Sequence, residues 1–384
     1  MTPLDGARTR DADRRTDLDR TGGSPTMPGQ RDLVVQQSFP DPRPTTNPYI
    51  VMLRDELERT EGVEVRTFSW RRALLGRYDV FHAHWPEILV AGSSRLKTAA
   101  REILTALLIA RWRLTGTAVV RTVHNLHRPE GLSGVQSALL SAIERATTHA
   151  IVLNESTVLG GDTVLPAGMP TTLVLHGHYR DWFARFPQRE AVSGRFSYFG
   201  LIRRYKGVDA LLRAFRDLPG DHTLRVAGKA RAGGLADELR TLAAADDRVD
   251  LTLEFLSEAE LVDVARQGEV VVLPYREMHN SGGALAALSV DRPVLVPRNE
   301  VNSRLADEVG PGWVLQYDGD LDAAALDAAL TAVRRAGRVE HVRRRLGRRE
   351  RRRHARRVEQ VRREMREARL ELRIQQPVRR DARQ

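Results

Sequence analysis

The stretch VVLPYREMHNSGGALAALSVDRPVLV, residues Val271–Val296, decides how the rest of the chain reads. An apolar run, Val270–Leu273, enters it and stops at Pro274, as a buried strand ending in a turn does. A polar loop from Tyr275 to Asn280 leads to Ser281-Gly282-Gly283, and Ala284–Leu288 runs on as a helix of good formers. Asp291-Arg292-Pro293 ends that helix, and Val294–Val296 starts another strand. Strand, Ser-Gly-Gly loop and helix start make an anion cradle. The first-turn N–H groups point outward, the positive end of the helix dipole lies there, and glycine lets a phosphate approach the backbone. The same residues also suit a plain helix start, so the cradle has to be weighed against the rest of the chain.

With 384 residues, 41% of them hydrophobic, the chain is long enough for two domains with real cores. It contains no cysteine, which excludes disulfides and cysteine-ligated metals and fits a reducing cytosol. No run approaches the ~20 apolar residues that span a bilayer, and the polar N-terminus does not read as a secretory signal. These features predict a cytoplasmic protein, at most peripheral on the inner face of a membrane. The net charge of +11 is local. Arg338–Gln384 holds 19 arginines against seven acidic residues, a surplus of 12, so the remainder is close to neutral. That segment lacks basic–aromatic interleaving, so nucleic acid is not an expected partner.

Residues 1–31 are polar and charged and are expected to be a disordered tail, with Met27 as an alternative start. Strands are predicted at 32–39, 63–68, 79–84, 118–123, 150–153 and 172–175, and helices at 48–60, 93–114 and 133–146. The 93–114 helix carries Ile103, Leu104, Leu107 and Leu108 on its apolar side. Residues 185–194 read as a linker, after which the strand–helix alternation restarts and continues to residue 336. Alternation at this spacing predicts α/β architecture with two Rossmann-like domains, 32–184 and 195–336. Ligands in such sheets sit at the carboxyl ends of strands. Three polar clusters fall there: His82–Glu87, His124–His127 and His176–Asp181.

Phe199-Gly200-Leu201-Ile202-Arg203-Arg204-Tyr205-Lys206-Gly207-Val208, taken with Leu273-Pro274-Tyr275 through Pro293-Val294, resembles the GT-B glycosyltransferases, closest to the large retaining group called family 4. His82-Ala83-His84-Trp85-Pro86-Glu87 and Thr122-Val123-His124-Asn125 sit where that group has its acceptor-side loops. The resemblance covers roughly residues 32–335. It implies a GT-B fold with a C-terminal crossover helix. It implies a hexosyltransferase-type enzyme moving sugar from a nucleoside diphosphate sugar to a glycan or lipid-linked acceptor, in polysaccharide or glycolipid biosynthesis. Retained configuration, no required metal and no cofactor beyond the donor are implied as well. By the resemblance, Lys206 contacts the donor diphosphate, Arg203 or Arg204 is its partner arginine, and Ser281, Gly282 and Gly283 approach the phosphates. The chain departs from the family pattern where two glutamates are usual, at Met278 and Ala286. Glu277 is one position from the first and is the substitute donor-binding candidate; nothing replaces the second, which commonly meets the donor ribose.

The chemistry asks for the developing charge on a leaving diphosphate to be met by Lys, Arg and helix dipoles, or by a metal. Lys206 and Arg203 at a strand–helix turn suit the first solution. His124, after an apolar strand, is the catalytic candidate, able to hydrogen-bond a sugar hydroxyl or the donor phosphate. Thr46, Asn47, His84, Trp85, Glu87 and His178 are the acceptor-side candidates. In the arginine-rich segment, 337–384, Val358, Val361, Met365, Ala368 and Leu372 follow helical spacing. It reads as a helical extension that packs as the crossover, pairs with another helix or lies on an anionic membrane. The 93–114 helix, with Lys97, Arg101, Arg111, Trp112 and Arg113, is a second candidate for membrane contact. Two other readings stand beside transfer: a GT-B-fold sugar-nucleotide epimerase, and an inactive scaffold.

Overall fold

The computed structural model describes residues 32–230, 233–276 and 278–336. They build two six-stranded sheets in which every pairing is parallel. In the first, β1 (Leu33–Gln37), β2 (Val63–Arg66), β3 (Val80–Ala83), β4 (Ala118–Val123), β5 (His149–Val152) and β6 (Thr171–Leu173) lie in the order β2-β1-β3-β4-β5-β6. In the second, β7 (Arg195–Phe199), β8 (Thr223–Ala227), β9 (Val249–Thr252), β10 (Val270–Val272), β11 (Val294–Pro297) and β12 (Val314–Tyr317) lie in the order β12-β11-β10-β7-β8-β9. The twofold repeat of α/β units predicted from spacing is present. The 1–31 tail, Glu277, the crossover helix and the arginine-rich extension lie outside the described residues.

The central strands are buried along their length because helices cover both faces. All residues of β1, β3, β4 and β10 are buried. Phe81, Leu108, Trp112 and Ile143 form the core on one face of the first sheet, and Val35, Val80, Val120 and Ile151 on the other. A larger core under the second sheet joins Phe196, Tyr198, Phe215 and Leu326. Tyr179 and Phe183 also belong to it, and Tyr49 and Met52 pack against it. Residues placed before the linker thus pack with the second sheet.

The long helix departs from expectation. It spans Arg95–Thr115, with Ser94 accepting from Lys97 N at its start and Gly116 in a left-handed conformation at its end. Its buried side is Thr105, Leu108, Ile109 and Trp112, while Ile103 and Leu107 are 63% and 53% exposed. The helix is apolar on two opposite sides, and the aromatic contacts choose the inner one. Trp112 lies 4.7 Å from the Phe81 ring and donates through Nε1 to the Tyr78 hydroxyl at 3.2 Å. Trp112 is therefore core, not a membrane-facing residue. Glu87 opens a short helical turn, Glu87–Val90, with its carboxylate 3.9 Å from Arg121.

Two glycines let the second sheet's loops approach each other. Gly207, at φ 63°, follows the 3-10 turn Arg204–Lys206. A Cβ there would stand 2.1 Å from the Pro274 carbonyl oxygen, and one on Gly228 would stand 1.8 Å from that of Gly200. The Arg203–Gly207 turn is thereby pressed onto the loop after β10, and Arg276 N donates to Tyr205 O at 2.8 Å. Gly207→Ala combines left-handed strain with a backbone clash and should cost roughly 2–4 kcal/mol in chemical denaturation. A change below about 0.5 kcal/mol would contradict this packing.

Candidate active site

The donor half of the site forms where β7 and β10 end. Ser281 caps the Gly282–Ser289 helix, its hydroxyl accepting from Ala284 N at 3.1 Å. Leu285 N already donates to Ser281 O. Gly282 and Gly283 therefore carry the first-turn N–H groups that have no acceptor within the helix. Lys206 reaches the same place: Nζ donates to the Tyr275 hydroxyl at 3.2 Å and lies 4.6 Å from the centre of that ring. The Tyr275 hydroxyl would in turn sit 3.2 Å from a Cβ on Gly283. Ammonium, phenol and helix N-terminus are contiguous. The two candidate arginines part company here. Arg204 donates to Glu238 at 2.6 Å, while Arg203 donates, among the described residues, to its neighbour's carbonyl, Ile202 O, at 2.8 Å. Met278 and Ala286, where the family carries glutamates, are both buried apolar residues.

The facing half is a wall of aromatic side chains at the ends of β1, β3, β4 and β6. Trp85 stacks on His124 with ring centres 4.1 Å apart. Tyr49 sets its edge against His124 at 5.2 Å and lies 5.0 Å from His176. Hydrogen bonds fix the imidazoles. With Gln37 Oε1 accepting, His84 donates from Nε2 at 3.2 Å, so its Nδ1 accepts from His124 Nε2 at 3.3 Å. His124 Nδ1 is left with a lone pair. His176 Nδ1 donates to Gly177 O at 2.8 Å, leaving Nε2 to accept. His82 Nε2 meets Thr122 Oγ1 at 2.8 Å, while its Nδ1 is buried without a partner.

Other acceptor-side candidates shape the wall. Asn47 caps the Pro48–Glu58 helix by accepting from Tyr49 N at 3.0 Å, so it aims Tyr49. Thr46 Oγ1 accepts from Arg43 N at 2.8 Å and closes the preceding turn. His178 Nδ1 accepts from Arg180 N at 3.3 Å. Glu87 turns toward Arg121, which lies 3.7 Å from Glu144.

The two halves meet through the loop of the opening stretch. Asn280 Nδ2 donates to Val123 O at 3.2 Å and His124 O at 3.1 Å, and Asn280 Oδ1 accepts from Asn154 Nδ2 at 2.7 Å. His279 Nε2 lies 2.9 Å from Thr157 Oγ1. A Cβ on Gly282 would be 3.2 Å from the Tyr179 hydroxyl and 4.0 Å from His176 Nε2. The Ser281–Gly283 helix start thus sits directly on the histidine wall. Sequence reading missed Tyr49, Tyr179, Tyr275 and Asn280. Tyr275 and Asn280 stand inside the decisive stretch, but nothing in their spacing marks them.

Burial sets the charge state of the wall. It lowers His82 to about 4, lowers His124 to about 3 with help from His176, His82 and Arg121, and holds His84 well below its ordinary value. His176 is lowered by burial against its bond to Gly177. Burial raises Tyr49 and Tyr179 and raises the Glu87 carboxyl, with Arg121 opposing. The imidazoles are neutral at pH 7 and act as hydrogen-bonding groups. In the unfolded chain each takes a proton near its ordinary value of about 6.5. Below that pH the unfolded state binds more protons, so stability is full above it and falls as pH drops toward the folded-state values. Each histidine that stays neutral should contribute roughly 2 kcal/mol of this loss between pH 6.5 and 5. His124→Gln should flatten the fall in unfolding free energy over that range by about one proton's worth; a slope equal to that of the parent chain would contradict the burial.

No family model matches the chain. The GDP-mannose:glycolipid 4-beta-D-mannosyltransferase of Xanthomonas campestris pv. campestris is 44% identical over 308 residues, covering 80% of this chain and 85% of that protein. Among solved structures, Anabaena HepE in complex with UDP and glucose superposes with a TM-score of 0.52 at 14% identity, covering 79% of this chain and 90% of that one. Sucrose-phosphate synthase from Thermosynechococcus elongatus gives 0.51 at 15% identity, over 79% and 89%. The structural likenesses show the fold; the sequence likeness shows the kinship. The chain is a GT-B glycosyltransferase and belongs to the family of the Xanthomonas GDP-mannose:glycolipid mannosyltransferase.

Proposed function

We propose that the chain transfers mannose from GDP-mannose to a glycolipid acceptor, with the diphosphate on the second sheet and the acceptor against the first. The contiguity of Lys206, Tyr275 and the Gly282–Gly283 N–H groups carries this reading, since it gathers positive charge at one point beside the histidine wall. Lys206, Arg203 and the helix N-terminus would meet the charge that develops on the departing diphosphate, the arrangement expected of a metal-independent transfer. Ser281 holds the helix start in place. Glu277 stays a donor-side candidate from sequence alone. On the facing side, His124 Nδ1 would accept a hydrogen bond from a sugar hydroxyl, with Trp85 as a flat platform for the ring. His84 holds the His124 tautomer, Asn47 and Thr46 aim Tyr49, and Glu87 and His178 order the flanking turns.

The relative's name also bears on stereochemistry. GDP-mannose is an α-glycoside, so a 4-β product requires inversion. The acceptor 4-hydroxyl would attack C1 from the face opposite the diphosphate, the C1–O bond to phosphate would break, and the hydroxyl proton would leave with a base. This replaces, in the proposal, the retention implied by the broader family-4 likeness. The one-bond carbon–hydrogen coupling at the anomeric centre of the product distinguishes the two. We expect the β value; the α value would remove inversion from the account.

Lys206→Ala should lower mannosyl transfer by about 10²–10³-fold with the unfolding midpoint unchanged, read as GDP released in the presence of acceptor. Near-parental activity would sink the assignment of the diphosphate site.

A further inference from the structure

We propose that the outer face of the Arg95–Thr115 helix is a docking surface for an anionic lipid bilayer, on which the helix lies parallel to the membrane plane. No described helix is long and apolar enough to cross a membrane, and this one has a different pattern. Leu96, Ile103, Leu107 and Leu114 are 86%, 63%, 53% and 87% exposed. Their spacing of seven, four and seven residues puts all four within about 40° of one line along the helix. That line is opposite the buried side, Thr105, Leu108, Ile109 and Trp112. A core helix has no use for a second apolar side, and four large apolar side chains in a row is more than scattered surface exposure.

The charges beside the stripe select its occupant. Arg95, Lys97, Arg101, Arg111 and Arg113 lie along this helix, with Glu102 as its one acidic residue. Arg101 is braced on the carbonyls of Ile88 and Ala91, and Arg111 on that of Gly76, while Arg111 also covers the Tyr78 ring at 4.2 Å. Arg111 stands about 60° from the stripe and Arg95, Lys97 and Arg113 about 100°, while Arg101 turns toward the buried side. A second copy of the chain would bring the same positive stripe, and the arginine-rich 337–384 segment carries a surplus of 12 positive charges, so both are repelled. Apolar side chains flanked by cations match the boundary between acyl chains and anionic headgroups. The helix contacts the Glu87–Val90 turn, which follows directly from Trp85, so a bilayer on this face would lie one turn away from the acceptor wall. That last link rests on the transfer reading above; the docking surface itself does not.

The chain has no cysteine, so Leu107→Cys in the full-length protein carries one environment-sensitive dye at the stripe. With vesicles of phosphatidylglycerol and phosphatidylethanolamine we expect the emission to move to shorter wavelength and to be quenched by spin-labelled lipid. The same dye at Thr241→Cys, exposed on the second-sheet side, should not respond. No response at position 107 overturns the proposal, even where the protein sediments with the vesicles through another segment. A dye already shielded without vesicles and indifferent to them also overturns it, and assigns the stripe to the chain's own C-terminal segment or a second copy. Ile103→Asp with Leu107→Asp should lower transfer to a vesicle-embedded glycolipid by about tenfold or more and leave transfer to a short-chain soluble acceptor unchanged. If both acceptors are dead in the parent chain, the transfer reading fails while the dye result still decides the docking surface.

Discussion

Asn280 is the hinge of the structure's logic. Its amide donates to two carbonyls at the end of β4 and accepts from Asn154, joining the loop after β10 to the first sheet. Two hydrogen bonds and an accepted third are worth only about 1 kcal/mol each, yet their position matters more than their strength. The carbonyl of His124 is one of the acceptors, and the helix start proposed to hold the diphosphate begins at the residue after Asn280, Ser281. In the proposed transfer this contact would fix the distance between the departing diphosphate and the hydroxyl oriented on the facing wall. A transfer reaction depends on that distance, because misplacement of reacting groups by about 1 Å costs about 10²-fold in rate.

Around this join the two walls are built from opposite electrostatics. The second sheet offers a cation and a helix N-terminus whose two free N–H groups are set by the Ser281 cap. The first sheet offers imidazoles that burial keeps neutral. In the proposed transfer, a cationic wall on both sides would hold the product diphosphate too firmly and repel Lys206, whereas neutral histidines would orient hydroxyls without competing for the phosphate. The partnered chain from Gln37 through His84 to His124 explains why a buried polar cluster is tolerated, although Gln36 Oε1, Gln37 Nε2 and His82 Nδ1 are left unsatisfied among the described residues.

Much of this was legible in the chain. Buried parallel strands are rich in apolar residues, so their number, spacing and the restart after residue 194 could be read. Gly207 and Ser281-Gly282-Gly283 were legible because backbone geometry restricts residue type. The rest rests on contacts between residues far apart in sequence. Tyr49 and His176 are 127 positions apart and meet at 5.0 Å, and Asn280 finds β4 across 156 residues; no local pattern encodes either. Which side of the Arg95–Thr115 helix turns inward was not legible, because periodicity shows that two sides are apolar but not which one Phe81 and Tyr78 will receive. Asn47, an acceptor-side candidate, also caps the Pro48–Glu58 helix, a second use of asparagine before proline.

The claim on which the rest turns is that donor phosphate and acceptor wall share one site. A crystal structure of the chain with GDP tests it most directly. The diphosphate should lie within hydrogen-bond reach, about 3 Å, of the Gly282 and Gly283 N–H groups and of Lys206 Nζ, with the ammonium drawn from the Tyr275 hydroxyl toward the phosphate. A diphosphate bound away from this helix start, with Lys206 still on Tyr275, would contradict it.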